Sequence, residues 1–234
     1  MKTHRTNAFT LIELLVVISI IAILASFAVP AMTGALLKAQ MTQSVNNAKQ
    51  IHLATFSMST DRSTTGDQNL GWPGDLENVQ QAPGGGGGGG SPGSTGPVTT
   101  VSAFVNRLVA YDYLKAADVG KVFTAPGIIP WSGVGPFDGN QNSAFKIYKV
   151  TESDGGATIF LATKNFTYNQ NFKDSDEVLK PYGTKGFVVF RKGGDGAVYK
   201  KQNAVQPTLI GYLPGTSDPQ NPGQETPQNI LIQQ

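Results

Sequence analysis

From Phe9 to Val29 the chain reads FTLIELLVVISIIAILASFAV, 21 residues in which Glu13 is the one charged side chain. At ~1.5 Å of rise per residue such a run makes a helix roughly 31 Å long, about the thickness of a bilayer's hydrocarbon core. The run is rich in β-branched residues. In lipid, however, a backbone must satisfy its own hydrogen bonds, so the segment is read as a helix. Lys2 and Arg5 precede it with no acidic residue. That asymmetry keeps the amino end cytoplasmic and sends the rest of the chain across the membrane. Without Lys2 and Arg5 the 18 basic residues fall to 16, equal to the 16 acidic ones, so the basic character lies largely in the first eight residues. A chain so near neutrality lacks the basic face of a dedicated nucleic-acid binder, and no nucleic-acid partner is expected.

Glu13 has two readings. A carboxylate near the centre of a spanning helix costs about 2.5–3.5 kcal/mol or more, and less near its end. Glu13 is four residues into the run, so it reads either as a tolerated boundary charge or as a carboxylate held for a partner cation. Composition leaves both open. A secretory signal is a rival for the whole segment, with Ser26-Phe27-Ala28 as a small-x-small cleavage site and a soluble product beginning at Val29. Glu13 at the head of the apolar core fits that rival poorly.

The order of residues is more specific. A short basic leader and then AFTLIELLVVISIIAILASFAVPA resembles the class III signal of type IV prepilins and type II secretion pseudopilins, over residues 1 to about 31. The resemblance implies that a prepilin peptidase cuts between Ala8 and Phe9 and that Phe9 is then N-methylated. Ala8 stands where the family usually has glycine, and is also small. Glu13 falls at the family's assembly glutamate and Pro30 at its helix-kink proline. The new amine on Phe9 and the Glu13 carboxylate are spaced i, i+4, on one helix face. In a bundle, Glu13 of an incoming subunit can meet the Phe9 amine of its neighbour, which removes two unpaired charges from a low-dielectric place.

Beyond the leader (1–8) and the membrane and assembly helix (9–29), residues 30–59 read as an amphipathic continuation of the same helix. Pro30 and Gly34 are possible bends. Met41, Val45, Ala48, Ile51, Thr55 and Met58 share one broad face. His52 lies on this helix and reads as a packed or surface residue. Residues 60–213 are the expected head. Its first part is loop, with Trp72-Pro73-Gly74-Asp75 as a turn with a buried ring. A flexible glycine-rich stretch comes next at 84–97, including seven consecutive glycines from Gly84 to Gly90. It lacks the Gly-Lys-Ser/Thr ending of a phosphate loop. A helix capped by Ser102 is expected over 102–116, then an ordered loop through Asn142. Strands are expected at 143–152, 156–165, 186–192 and 197–201, with a weaker one at 207–213. Residues 214–234 read as a flexible tail.

This order gives an α+β class, with a long amino-terminal helix on an antiparallel sheet, as the pilin resemblance implies. The chain has no cysteine. That excludes a disulfide framework, a thiolate zinc site and a cysteine nucleophile, so the head is expected to be held by packing alone. Neither an HExxH motif nor a histidine pair is present, and no catalytic constellation emerges. Asp138-Gly139-Asn140-Gln141-Asn142 begins like a calcium loop, but Ser143 and Lys149 occupy its sixth and twelfth places. Asp195 and the Asp174–Glu177 cluster read as surface turns, so no metal or other cofactor is expected. Asn165-Phe166-Thr167 matches a glycosylation sequon and is read as a chance match.

The expectation is therefore a non-enzymatic structural subunit of a type IV pilus-like filament. It would be a single-pass inner-membrane precursor with its head outside the cytoplasm, then part of a pilus or pseudopilus at the periplasm or cell surface. By resemblance its partners are prepilin peptidase, membrane lipid before assembly, copies of itself, an assembly ATPase and a platform protein. A type II secretion pseudopilin, or a minor tip pilin whose head binds a surface or DNA, is the alternative.

Overall fold

The computed structural model describes residues 10–79, 96–216 and 223–234. The Ala8–Phe9 junction and the run of seven glycines lie outside the described residues. The described chain divides into two units, one up to Gln40 and one from Met41 onward. Helix α1, Leu11–Thr65, contributes to both.

In the second unit the helix is amphipathic. Met41, Ala48, Ile51, Thr55 and Met58 are buried and Val45 partly so, which is the face expected from their spacing. This face packs on a four-stranded antiparallel meander in the order β1-β2-β3-β4. The strands are β1 (Phe145–Ile147), β2 (Ile159–Thr163), β3 (Phe187–Arg191) and β4 (Gly196–Tyr199). All five residues of β2 are buried, so this strand is covered on both faces. The register shifts between Ile159 and Leu161, at Phe160. Phe160 and Phe190 both approach His52 on α1, at ring separations of 6.0 and 5.3 Å. Trp72 completes the cluster edge-on to Phe160 at 5.3 Å, buried as its turn required. The fold class is thus the expected α+β, pilin-like arrangement.

Several local expectations are corrected. Helix α2 is Val101–Ala110, shorter than 102–116, and its cap is Thr100, whose side chain accepts from the Ala103 N–H. The Ser102 hydroxyl instead donates to the Phe137 carbonyl at 2.5 Å. The chain turns at Asp112, which adopts φ 60°, and a separate helix α3 comes next at Ala116–Val122. Within the expected loop a short helix α4, Gly139–Asn142, is capped by Asp138. The expected fifth strand is helix α5, Pro207–Ile210, because Pro207 sits at the first helical turn, where its missing N–H costs nothing. Only Tyr212 pairs as a strand residue there, bridging Thr158.

The largest correction is the tail. Of the expected tail at 214–234, residues 217–222 lie outside the described residues, and residues 223–234 are bound into the head. Ile232 pairs with Thr100 and Ile230 with Tyr148, and Leu231 is fully buried. Glu225 takes the Lys146 ammonium at 2.6 Å, the Tyr148 hydroxyl at 2.6 Å and the Tyr168 N–H at 2.9 Å. Burial, reinforced by the Glu225 carboxylate, pushes the Tyr148 phenol well above its ordinary range. Packing alone therefore does not hold this cysteine-free head. A largely buried ion pair, Lys146–Glu225, ties the carboxy-terminal segment across β1. Its Pro, Gln and Asn content hid Leu231 and Glu225, whose partners are distant in sequence.

Candidate functional site

The candidate site is the amino-terminal part of α1, built from Thr10 onward. Thr10 is extended and precedes the first helical residue, Leu11. Its N–H donates to Glu13 Oε2 at 2.9 Å, and its hydroxyl donates to the same oxygen at 2.7 Å. The Glu13 N–H faces Thr10 Oγ1 at 3.4 Å. This is a capping box: a helix start leaves N–H groups without intrahelical acceptors, and the two side chains supply them reciprocally. Glu13 also puts its negative charge at the positive end of the helix dipole. The Thr-x-x-Glu spacing ahead of an apolar run is legible in the sequence. Thr10 is thus a functional candidate that the family resemblance did not bring forward.

From Leu11 to Val29 every side chain is exposed, including Leu11 at 81% and Phe27 at 76%. A helix apolar on all sides is the kind that lies in a membrane or in the middle of a larger bundle. This one is long and apolar enough to cross a bilayer. Its two serines turn inward on their own backbone. The Ser19 hydroxyl donates to the Leu15 carbonyl and the Ser26 hydroxyl to the Ile23 carbonyl, each at 2.7 Å. Hydroxyls satisfied within the helix suit an environment that offers no water. The backbone is helical through position 30. Pro30 has no N–H to give, which removes one rung of the ladder there.

The structure brings Glu13 together with Thr10. Ala8 and Phe9, the expected cleavage and methylation positions, lie outside the described residues. His52 is buried, and its Nε2 bonds to the Lys192 carbonyl at 2.7 Å within the aromatic cluster. Burial pulls its pKa below the ordinary histidine value, partly offset by the Lys192 carbonyl and Asp195. The Asp138 carboxylate is engaged by the Asn140 N–H at 2.7 Å and the Gln141 side chain at 2.8 Å. Asp195 pairs with Arg191 at 2.5 Å across the β3–β4 turn. Among the described residues no three His, Cys, Asp or Glu side chains gather as a metal site. The sequon asparagine, Asn165, is buried, and its amide donates to the Gly183 and Gly186 carbonyls at 2.8 Å each. In the folded head that nitrogen is inaccessible to a glycosylating enzyme.

Comparison with known proteins adds two findings. Residues 3–29 match the prokaryotic N-terminal methylation motif. The chain is also 39% identical over 78 residues to the type IV major fimbrial protein FimA of Dichelobacter nodosus. That match covers 32% of this chain, and the chain spans about half (49%) of the relative's length. No solved structure matches the chain significantly.

Proposed function

On the premise that the methylation motif and the fimbrial relative support the type IV pilin family for this chain, we propose that it is a structural subunit of a type IV pilus-like filament. The observation that carries the proposal is the all-round exposure of the apolar residues Leu11–Val29, behind a capped helix start. In the precursor those residues are solvated by lipid. Prepilin peptidase then removes Met1–Ala8 and the new terminus at Phe9 is methylated. The helix leaves lipid for a bundle of identical helices and the heads form the outer surface. The apolar contacts are exchanged with little loss, while Glu13 and the Phe9 amine of a neighbour pair and set the register. An assembly ATPase and a platform protein would drive and seat the incoming subunits. The subunit itself is non-enzymatic.

The intact mass and amino-terminal sequence of the membrane-extracted protein test this reading. A start at methylated Phe9 supports it. A start at Val29, or an uncut Met1, overturns it. Substituting Glu13→Ala should sharply reduce filament yield while leaving the protein in the membrane, and filaments at the normal level would refute the register role. A pseudopilin of type II secretion would give the same terminus. It differs in phenotype, since loss of the gene would block enzyme export and leave surface fibres intact.

A further inference from the structure

Charges that balance over the chain as a whole are segregated within it. Residues 178–213 carry Lys180, Lys185, Arg191, Lys192, Lys200 and Lys201 against one acid, Asp195. That acid is taken by Arg191, at 2.5 Å. The Lys192 ammonium donates to the Asp154 carbonyl at 2.7 Å, and the Lys180 stem lies beside Gly127. Lys185, Lys200 and Lys201 are left. All three are exposed, and among the described residues none of them is in an ion pair. The next acids along the chain, Asp174, Asp176 and Glu177, belong to the turn before β3. Asp176 there takes the Lys173 N–H at 2.7 Å, and none of the three pairs with these lysines.

The sheet brings the three lysines together. Phe187 at the start of β3 lies opposite Tyr199, the last residue of β4. Lys185 therefore just precedes that pair, and Lys200 and Lys201 just follow it, at the same end of the hairpin. Helix α1 enters the head at this end. Met41, its first residue in the second unit, meets Gly186 closely: a Cβ on Gly186 would lie 2.9 Å from Met41 Cε and 2.7 Å from the Tyr199 carbonyl oxygen. Ser44 on the same helix shares a hydrogen bond with the Tyr182 hydroxyl at 2.7 Å. Exposed apolar side chains accompany the lysines. Val205 and Leu209 are both exposed, and the Tyr199 hydroxyl donates to the Leu209 carbonyl at 3.0 Å, which holds α5 to the end of β4.

Two arguments select the partner. A hydrated polyanion such as a nucleic acid would pair with the ammonium groups and leave Val205 and Leu209 in water. The boundary of an anionic bilayer takes both, lysines at the headgroups and apolar side chains beneath them. The second argument is the tether. The apolar run able to cross a bilayer ends at Val29, and the same helix reaches the head at Met41. So short a connection keeps the local lipid concentration at this end of the head high. We propose that Lys185, Lys200 and Lys201, with Val205 and Leu209, form a docking surface for anionic phospholipid headgroups, on which the head rests while the subunit is still in the membrane. The surface rests on the membrane-inserted precursor proposed above and gives its head a lipid partner.

The test places the full-length chain in nanodiscs of phosphatidylcholine alone and in nanodiscs of equal parts phosphatidylcholine and phosphatidylglycerol. Lysines are labelled with an acylating reagent and read by mass spectrometry. Anionic lipid should slow labelling of Lys185, Lys200 and Lys201 by roughly fivefold or more, about the gain of one lysine at an anionic surface. Lys115, exposed at the start of α3, should label at the same rate in both discs. High salt should remove the difference. A Lys200→Gln/Lys201→Gln variant with an unchanged thermal melt should lose most of the protection at Lys185. Equal labelling of a chain that has entered both discs overturns the docking surface alone, as does protection that the variant retains. Protection that is equal in the two lipids and grows with the number of chains per disc would assign the surface to a second copy and also overturns it. A chain that enters neither disc overturns the membrane reading and this surface with it.

Discussion

The two halves of α1 share one helical backbone and differ in what their side chains meet. From Leu11 to Val29 every residue is exposed and nearly every one is apolar. From Met41 to Ser59 buried and exposed residues alternate at helical spacing, with Ile51 fully buried and Leu53 and Phe56 half exposed. The second half has its partner within the chain. Among the described residues the first half is exposed throughout, which suits a helix that lies in lipid or inside a larger bundle. The comparison separates two kinds of stability: that of the head, which one chain contains, and that of the assembled helix, which it does not.

The largest expected effect lies on the head side, at the carboxy-terminal clamp. Glu225→Ala would remove the carboxylate shared by the largely buried Lys146 ammonium, the buried Tyr148 hydroxyl and the Tyr168 N–H, leaving Lys146 only the Phe166 carbonyl at 2.6 Å as a close acceptor. Breaking one side of such a pair costs about 3–5 kcal/mol. Thermal or urea unfolding of the detergent-solubilised chain should show that loss. A change under ~1 kcal/mol would mean that the tail is not part of the cooperative unit.

Next comes the direct comparison of halves. Ile51→Ala removes a fully buried side chain from the head core and should cost about 2–5 kcal/mol of head stability. Ile18→Ala, at a position 56% exposed, should leave head unfolding within about 0.5 kcal/mol and act on filament yield instead. Equal melting shifts for the two variants would break the distinction between them.

A smaller effect is set by pH. His52 is held neutral by burial, with its pKa below the ordinary histidine value of 6.5. The unfolded chain therefore takes up a proton before the folded one does. The contribution of neutral His52 is fully present above pH 6.5 and is lost as pH falls through that value toward the lower folded pKa. Unfolding midpoints measured between pH 7.5 and 5 should fall, and a His52→Phe variant should flatten that part of the profile. An identical slope in the variant would assign the acid sensitivity to other groups.

These effects also mark what the sequence could reveal. Periodic patterns were legible: the apolar run, the buried face of the second half of α1, and the strands around Gly193–Gly196. Each depends on neighbours within a few residues. The features that escaped depend on distant partners or on a single backbone angle. Leu231 and Glu225 gain meaning only when residues 145–148 lie beside them. Asp112 ends α2 through a positive φ that its type permits but does not announce. At the candidate site the cap was legible in the Thr-x-x-Glu spacing, but the residue that stood out was Glu13. Its charge drew attention to a partner in another subunit and away from Thr10, three residues earlier.

The cap at Glu13 yields the smallest and most discriminating prediction. Glu13 does two things that can be separated chemically. A glutamine at the third helical position can complete a capping box but carries no charge. Glu13→Gln should therefore keep the helix start intact, and Thr10→Val should lose about 1 kcal/mol of local helix stability. Amide exchange at residues 11–13 of the solubilised chain reads the cap: faster in Thr10→Val, restored in Thr10→Ser, and near wild type in Glu13→Gln. Filament yield reads the charge. A fall in Glu13→Gln with slow exchange retained would assign assembly to an ionic contact between subunits. Normal yield in Glu13→Gln alongside a fall in Thr10→Val would assign it to the cap, and the first half of α1 would then contribute to assembly through the order of its own first turn.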